Sequence, residues 1–281
     1  MALTGFIPTV WSARLSLALD RAQVFTQAGV VNRDYEGEIR NFGDTVKIGS
    51  ISDPTVSDYT RNGSISLQTL SDAQALMTID KAKYFAFEVD DLDTAQMNVE
   101  VMDRSIARAG RKLTNTADTL VASYYSEAGS SVGSSGSPKA DLGTAGKAYE
   151  WLVALGVELD EADCPSDGRW VAVPPWYYGK LLIDDRFVKA GTATTDAVLR
   201  NGIVGEAAGF TILKSNNVSN DGTTYRIMAG TDMAISFAEQ ILKVEAYRPQ
   251  DSFSDAVKGL YVYGGKVVRP ECLATLYANA A

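Results

Sequence analysis

Between residues 90 and 129 the apolar positions Leu92, Ala95, Val99, Met102, Ile106, Ala109, Leu113, Ala117, Leu120 and Tyr124 recur at steps of three or four. That is the period of one buried stripe on a helix. Asp90, Asp91 and Asp93 stand at its start, where the helix dipole favours negative charge. Arg104, Arg108 and Arg111 share the same spacing and form a second, solvated stripe. No proline falls between Pro54 and Pro138, so no ring interrupts the pattern. Gly110 costs about 1 kcal/mol against alanine and marks a possible bend. Gly129 and the serine-glycine run after it end the helix. A helix of this length would span about 60 Å. The stripe is too rich in alanine for a strict heptad seam, so it predicts a spine packed on its own domain.

The pattern is different on either side. Residues 12–22 carry a short amphipathic stripe, Leu15, Ala18, Leu19 and Ala22, followed by Val24, Phe25, Val30 and Val31 without clear period. This segment cannot form a core alone and must dock on its own body or on a neighbour. Residues 36–89 alternate like strands at Thr45-Val46-Lys47-Ile48, Ile65-Ser66-Leu67-Gln68 and Phe85-Ala86-Phe87-Glu88-Val89. Asn62-Gly63 is a tight-turn signal, and residues 53–63 are polar. Together they predict a long two-stranded excursion. Such a ribbon is marginal in water, and partner contacts are a natural source of its stability.

After the spine, residues 130–138 read as a flexible serine-glycine linker. Residues 141–156 predict a helix with Leu142, Ala145, Tyr149, Leu152 and Leu155 near one face. Residues 169–173 predict a short buried strand, ended by Pro174-Pro175 before a helix over 176–183. A loop-rich stretch over 184–208 precedes strands at 210–213, 225–229 and 241–246. Residues 256–277 mix strand signals with Gly264-Gly265 and Pro270. Strands and helices interleave without strict βαβ repeats, which predicts an α+β fold. No internal repeat is visible.

Composition narrows the chemistry. The chain has 281 residues, 46% of them apolar, so a sizeable core is available. The net charge of −9 lacks the basic excess of a general nucleic-acid binder. Histidine is absent, which removes Ser-His-Asp and Cys-His nucleophile arrangements and every histidine-containing metal site. Cys164 and Cys272 form no ligand cluster and read as two reduced thiols. The first twenty residues show no basic region followed by a long apolar run, and no run approaches the ~20 residues of a membrane span. Gly202, Gly205 and Gly209 lack the Gly-Lys-Ser/Thr of a phosphate loop, and Gly264-Gly265-Lys266 continues into Val267, so both read as turn glycines. Asp160, Glu161 and Asp163 read as a solvated turn, as does Asp184-Asp185-Arg186. Asn62-Gly63-Ser64 and Asn217-Val218-Ser219 match a short sequon that carries no meaning without a secretion signal. No catalytic, cofactor-binding or metal-ligating residue is assigned, and no cofactor is expected.

The order of parts resembles the major capsid proteins of tailed bacteriophages, with the Hong Kong 97-type fold. Val31-Asn32-Arg33-Asp34-Tyr35-Glu36-Gly37-Glu38-Ile39 and Gly43-Asp44-Thr45-Val46-Lys47-Ile48 are similar to that family's entry into its extended loop. Phe85-Ala86-Phe87-Glu88-Val89-Asp90-Asp91-Leu92-Asp93, with Ala95-Gln96, resembles its passage into the spine helix. Arg169-Trp170-Val171-Ala172-Val173-Pro174-Pro175 resembles its strand-Pro-Pro-helix step. Near the C-terminus Arg248-Pro249, Phe253-Ser254-Asp255-Ala256-Val257-Lys258-Gly259 and Tyr263-Gly264-Gly265-Lys266-Val267-Val268-Arg269-Pro270 continue the likeness.

The resemblance implies an N-terminal arm over 1–35 and an extended β loop over 36–89 that reaches across a neighbouring subunit. It implies a peripheral domain over 90–140 and 239–281, with the spine helix at 90–129, and an axial domain over 141–238. Cys164 and Cys272 would then lie in different domains and not pair. The implied function is a structural subunit, not an enzyme, that self-assembles into hexamers and pentamers of an icosahedral head shell. Its other partners would be a separate scaffold protein, since no long helical preface precedes the arm, a portal, and packaged double-stranded DNA held without specific binding. No membrane partner is implied, and the location is the virion, with the host cytoplasm during assembly. The lysine–asparagine cross-link of some relatives has no matching residues here. An encapsulin-like cellular nanocompartment and an α/β enzyme or binding module are the competing readings.

Overall fold

The computed structural model describes residues 23–35, 43–51, 56, 58, 61, 72–90, 100–139, 146–184, 205–251 and 254–280. Two strands, β1 (Thr45–Ile51) and β2 (Asp72–Thr78), pair antiparallel as an isolated ribbon. Two residues later the chain enters β3 (Lys81–Asp90), which leaves the ribbon and pairs with β10 (Ser254–Val267). On the other side of β10 lies β9 (Ile235–Tyr247), giving a three-stranded antiparallel sheet in the order β3-β10-β9. The excursion expected over 36–89 is therefore divided: its return strand belongs to a different sheet from its outer ribbon. Ile65–Gln68 and Asn62-Gly63 lie outside the described residues.

Helix α1 (Glu100–Ser123) packs on β3 and β10. Ile106, Leu113 and Ala117 of the expected stripe are buried, while Leu120 and Tyr124 are half-buried and Arg108 and Arg111 are exposed. The helix is shorter than the spine expected over 90–129 and passes straight through Gly110. Asp90 is strand, paired with Ser254, rather than a helix start; Asp91 and Asp93 lie outside the described residues. At the far end α1 tightens into a 3₁₀ turn over Tyr124–Glu127, a common way for a last turn to close. Gly129 does not cap it. Its N–H bonds the carbonyls of Pro270 and Leu273, at 2.8 and 3.1 Å. A Cβ there would stand 2.6 Å from the Pro270 oxygen, so only glycine allows this approach.

The expected linker is ordered structure instead. β4 (Ser130–Val132) pairs parallel with β11 (Leu273–Asn279), and Ser134 and Ser137 exchange backbone hydrogen bonds. These belong to a six-stranded sheet in the order β4-β11-β8-β5-β7-β6, with β5 (Trp170–Val173), β6 (Glu206–Ala207), β7 (Phe210–Lys214) and β8 (Thr224–Gly230). All four residues of β5 are buried, as expected of a strand covered on both faces. Helix α2 (Lys147–Glu161) packs on β4, β11 and α3 (Pro175–Ile183). Ala148, Leu152, Leu155 and Leu159 are its buried positions, and Pro175 opens α3 as the sequence predicts. Asp160 and Glu161 close α2 rather than forming a turn, and Asp160 ion-pairs with Arg169 at 2.7 Å.

One further reading is corrected. Gly264 and Gly265 are not turn residues but lie inside β10, paired with Ala238 and Phe237. A Cβ on Gly264 would stand 2.6 Å from the Thr78 oxygen, because the end of the ribbon crosses the sheet there. The expected axial domain over 141–238 also draws its sheet from outside those bounds. β11 sits between β4 and β8, so residues 273–279 complete that sheet, and they also meet the end of the spine, where the Thr275 hydroxyl bonds the Tyr125 carbonyl at 3.3 Å. One continuous core runs from α1 through both larger sheets, and a second, small one lies under the ribbon.

Candidate functional site

Among the described residues, no three His, Cys, Asp or Glu side chains come together as a metal site. The hollow between α1 and the turn after β7 measures about 340 Å³ and is lined by Thr119, Ser123, Asn217 and Asn220. It is open and polar, without the apolar walls of a small-molecule pocket. Gly209 lies in the tight β6–β7 turn, and Gly202 lies outside the described residues. The specialised features of the molecule are instead devices that fasten its extended parts.

The first device is Asp118. It lies on the buried side of α1 with no exposure. Its carboxylate accepts hydrogen bonds from the N–H groups of Val24, Phe25 and Thr26 at 3.2–3.3 Å and from the Thr26 hydroxyl at 3.1 Å. Burial pushes its pKa up, and those hydrogen bonds oppose the shift. The second device is Glu239 on β9. It pairs with Arg33 at 2.5 Å, accepts from Gln23 at 2.5 Å, and takes a short hydrogen bond from the Tyr261 hydroxyl. Burial, then the Glu239 charge, pushes the Tyr261 hydroxyl pKa well up, so it stays a donor. Between them Asn32 joins β9 as a strand would: its N–H bonds the Ile235 carbonyl at 2.8 Å, and its carbonyl accepts from Phe237 at 2.9 Å. The segment 23–35 thus docks on its own subunit.

The ribbon has its own anchorage. Val46, Ile48, Met77 and Ile79 are buried against Ala238 and Val262, with Tyr35 and Val268 at the margin. This end of the excursion buries itself, contrary to the expectation that the excursion as a whole would need a neighbour. Farther out, Val56 is 95% exposed. Beyond the part covered by the ribbon, the outer face of the three-stranded sheet carries exposed side chains. Tyr84 is 78% exposed beside its cross-strand partner Leu260. Two pairs along, Lys258 bonds Glu245 at 3.0 Å and lies over the Tyr247 ring. On the inner face Phe85 and Phe87 pack on the core.

The thiols were expected apart. Both are free and buried, yet both side chains reach Thr231 at the end of β8. Asp118 and Glu239 were missed by the sequence. The signal for Asp118 was a charge one position after Ala117, on the buried stripe; Glu239 gave none, because its partners come from far along the chain.

A family model described as phage capsid protein matches residues 72–276. The solved structure from Mycobacterium phage Che8 is 33% identical, covers 88% of each chain, and superposes with a TM-score of 0.73. The capsid of Cyanophage P-SCSP1u is 18% identical over 86% of this chain and 85% of its own, with a TM-score of 0.67. A virus-like particle from Pyrococcus furiosus is 15% identical over 98% of this chain and 100% of its own, with a TM-score of 0.61, and shares the fold alone. No curated protein matches significantly.

Proposed function

The chain belongs to the phage capsid protein family, and from that premise we propose how its parts divide the work of building a shell. It is a structural, shell-forming capsid protein of the virion, with the Hong Kong 97-type α+β fold. The encapsulin-like reading is not favoured, because the family model and the 33% identical relative are both of phage origin. The enzyme reading loses its basis in the same match, since the family's role is structural.

In the proposed division, residues 1–35 are the arm, whose inner part is latched by Asp118 and Glu239. Of the expected loop over 36–89, residues 36–80 are the extended loop, and its return strand β3 belongs to the peripheral unit. The peripheral unit comprises α1 with β3, β9 and β10, and the axial unit comprises α2, α3 and the six-stranded sheet with β4 and β11. Copies meet as hexamers and pentamers, assembled in the host cytoplasm on a separate scaffold protein and a portal. Double-stranded DNA fills the shell without specific binding, in keeping with a net charge of −9.

The observation that carries the loop's role is the contrast between its ends: the ribbon is buried near Met77 and Ile79 but exposed at Val56. Replacing residues 53–63 with a short Gly-Ser turn tests it. Loop closure changes only slowly with length, so native circular dichroism is expected. Closed shells should be absent by electron microscopy, because specific interfaces need on the order of 1,000 Å². Normal shells from the shortened chain would show that the tip is no intersubunit element.

A further inference from the structure

β8 ends between two loops that each carry a cysteine. Gly230 pairs with Trp170 of β5 on one side and with Leu273 of β11 on the other. One residue beyond the pairing, Thr231 donates its N–H to the Cys272 carbonyl at 3.3 Å, and its hydroxyl lies 4.0 Å from the Cys164 sulfur. The Cys164 thiol and the Thr231 hydroxyl both act on the Cys272 thiol, which places the two cysteine side chains around the same hydroxyl. Neither loop is loose. Cys164 N–H bonds the Leu159 carbonyl at 3.0 Å, and Arg169 holds the Cys164 and Pro165 carbonyls at 2.6 and 2.8 Å. Cys272 N–H bonds the Arg269 carbonyl at 3.2 Å. The backbones are fixed and both thiols gather around Thr231, so a bond between them needs side-chain rotation rather than a change of fold.

We propose that Cys164 and Cys272 are a latent disulfide site, closed by a low-molecular-weight disulfide, which locks the α2–β5 loop to the entry of β11. The Cys164 thiolate attacks one sulfur of the small disulfide, forming a mixed disulfide and releasing one small thiolate. The Cys272 thiol then gives its proton to solvent, and its thiolate attacks the Cys164 sulfur, releasing the second. The two protein thiols are oxidised, and one small disulfide is reduced to two thiols. The site's use rests on the reading above, in which the chain is made in a reducing cytoplasm and leaves it in a particle. There the thiols would pass to an oxidising medium. Burial, the neighbouring thiol and the Glu271 charge push the Cys272 thiol up to about 11, so closure at neutral pH is slow and the reduced pair persists.

The test uses the full chain, purified with reductant, freed of it, and exposed to oxidised glutathione. Intact mass should fall by two hydrogens with no retained glutathione, and a peptide map should join residues 164 and 272. The closing step should accelerate about tenfold per pH unit below the Cys272 pKa. Cys164→Ser should form no bridge while keeping its circular dichroism. Two free thiols after prolonged oxidation, a stable glutathione adduct in place of the bridge, or linkage between chains would each overturn the proposal. None of these outcomes depends on shell formation, so failure here and failure of the capsid reading are told apart.

Discussion

The ribbon β1–β2 and the six-stranded sheet handle apolar surface in opposite ways. In the sheet, β5 is buried along its whole length, and helices α2 and α3 complete a core that one subunit supplies to itself. Among the described side chains of the ribbon, the buried ones are Val46, Ile48, Met77 and Ile79 near the crossing with β9 and β10, and Leu76 on its other side is half exposed. Two strands with one small cluster lie near the limit of independent stability. The comparison teaches that an assembling subunit can place folding and joining in different regions, so damage to one need not be damage to the other.

The strongest way to break that comparison is to strike the self-sufficient region. Trp170 is fully buried in β5, and Trp170→Ala should cost about 3–5 kcal/mol. Denaturant titration should show a lowered midpoint for the whole subunit, with shells lost because folding is lost. A shift confined to the ribbon's signals would mean that the two regions are not separable as described.

Next is the same kind of cavity in the ribbon. Met77→Ala removes about 2–5 kcal/mol of local packing, which is more than a lone two-stranded unit holds in reserve. Hydrogen exchange should show lost protection at Val46 and Ile48, while Ile227 and Leu276 in the sheet keep theirs. Equal loss in both places would make the ribbon part of one cooperative core.

The sequence revealed these regions unevenly, for physical reasons. Helices and strands whose partners are near in sequence, such as α3 after Pro174-Pro175, follow from period and proline chemistry alone. The α1 stripe was legible too, but its ends were not, because β10 captures Asp90 and the Pro270 carbonyl captures Gly129. Gly264 read as a turn because a glycine required by a crossing strand has the same letter as one required by a bend. The latch at Glu239 was invisible, since its partners stand far along the chain, and Asp118 left only a charge beside the buried stripe that does not say what it holds.

Asp118 joins the arm to the subunit, so it sharpens the comparison at the seam. Asp118→Asn leaves three buried N–H donors facing an amide, a loss of about 1–3 kcal/mol. The pH dependence has a definite sign. The folded pKa is raised above 3.8, so the folded state holds the proton more tightly than the unfolded chain. Wild-type stability therefore gains as pH falls through the folded pKa toward 3.8. The asparagine variant has no such gain, so the gap between the two should widen on acidification in that window. A gap that narrows would show that the hydrogen bonds, not burial, dominate the carboxylate.

The smallest effect on the subunit should come from Tyr84, which is where joining separates most clearly from folding. Tyr84 is 78% exposed on the outer face of the three-stranded sheet and lies opposite Leu260, itself 37% exposed. Phe85 and Phe87, on the inner face of the same strand, carry the packing that holds β3 in place. Tyr84→Ser therefore removes little that the isolated chain uses, and stability should stay within about 0.5 kcal/mol of wild type. If this face meets another copy in the shell, the lost ring is an aromatic contact of the kind that dominates interfaces, and its removal costs about 1–2 kcal/mol per contact. The protein concentration at which shells appear should then rise by roughly tenfold, because 1.4 kcal/mol is a factor of ten in an equilibrium constant. Light scattering against concentration, beside a denaturation curve of the unassembled subunit, reads both quantities. An unchanged onset would leave Tyr84 as solvent-facing surface and move the joining role to the ribbon alone. A stability loss comparable to that of Met77→Ala would instead mean that the outer face supports the fold, and the division between folding and joining would not hold for this sheet.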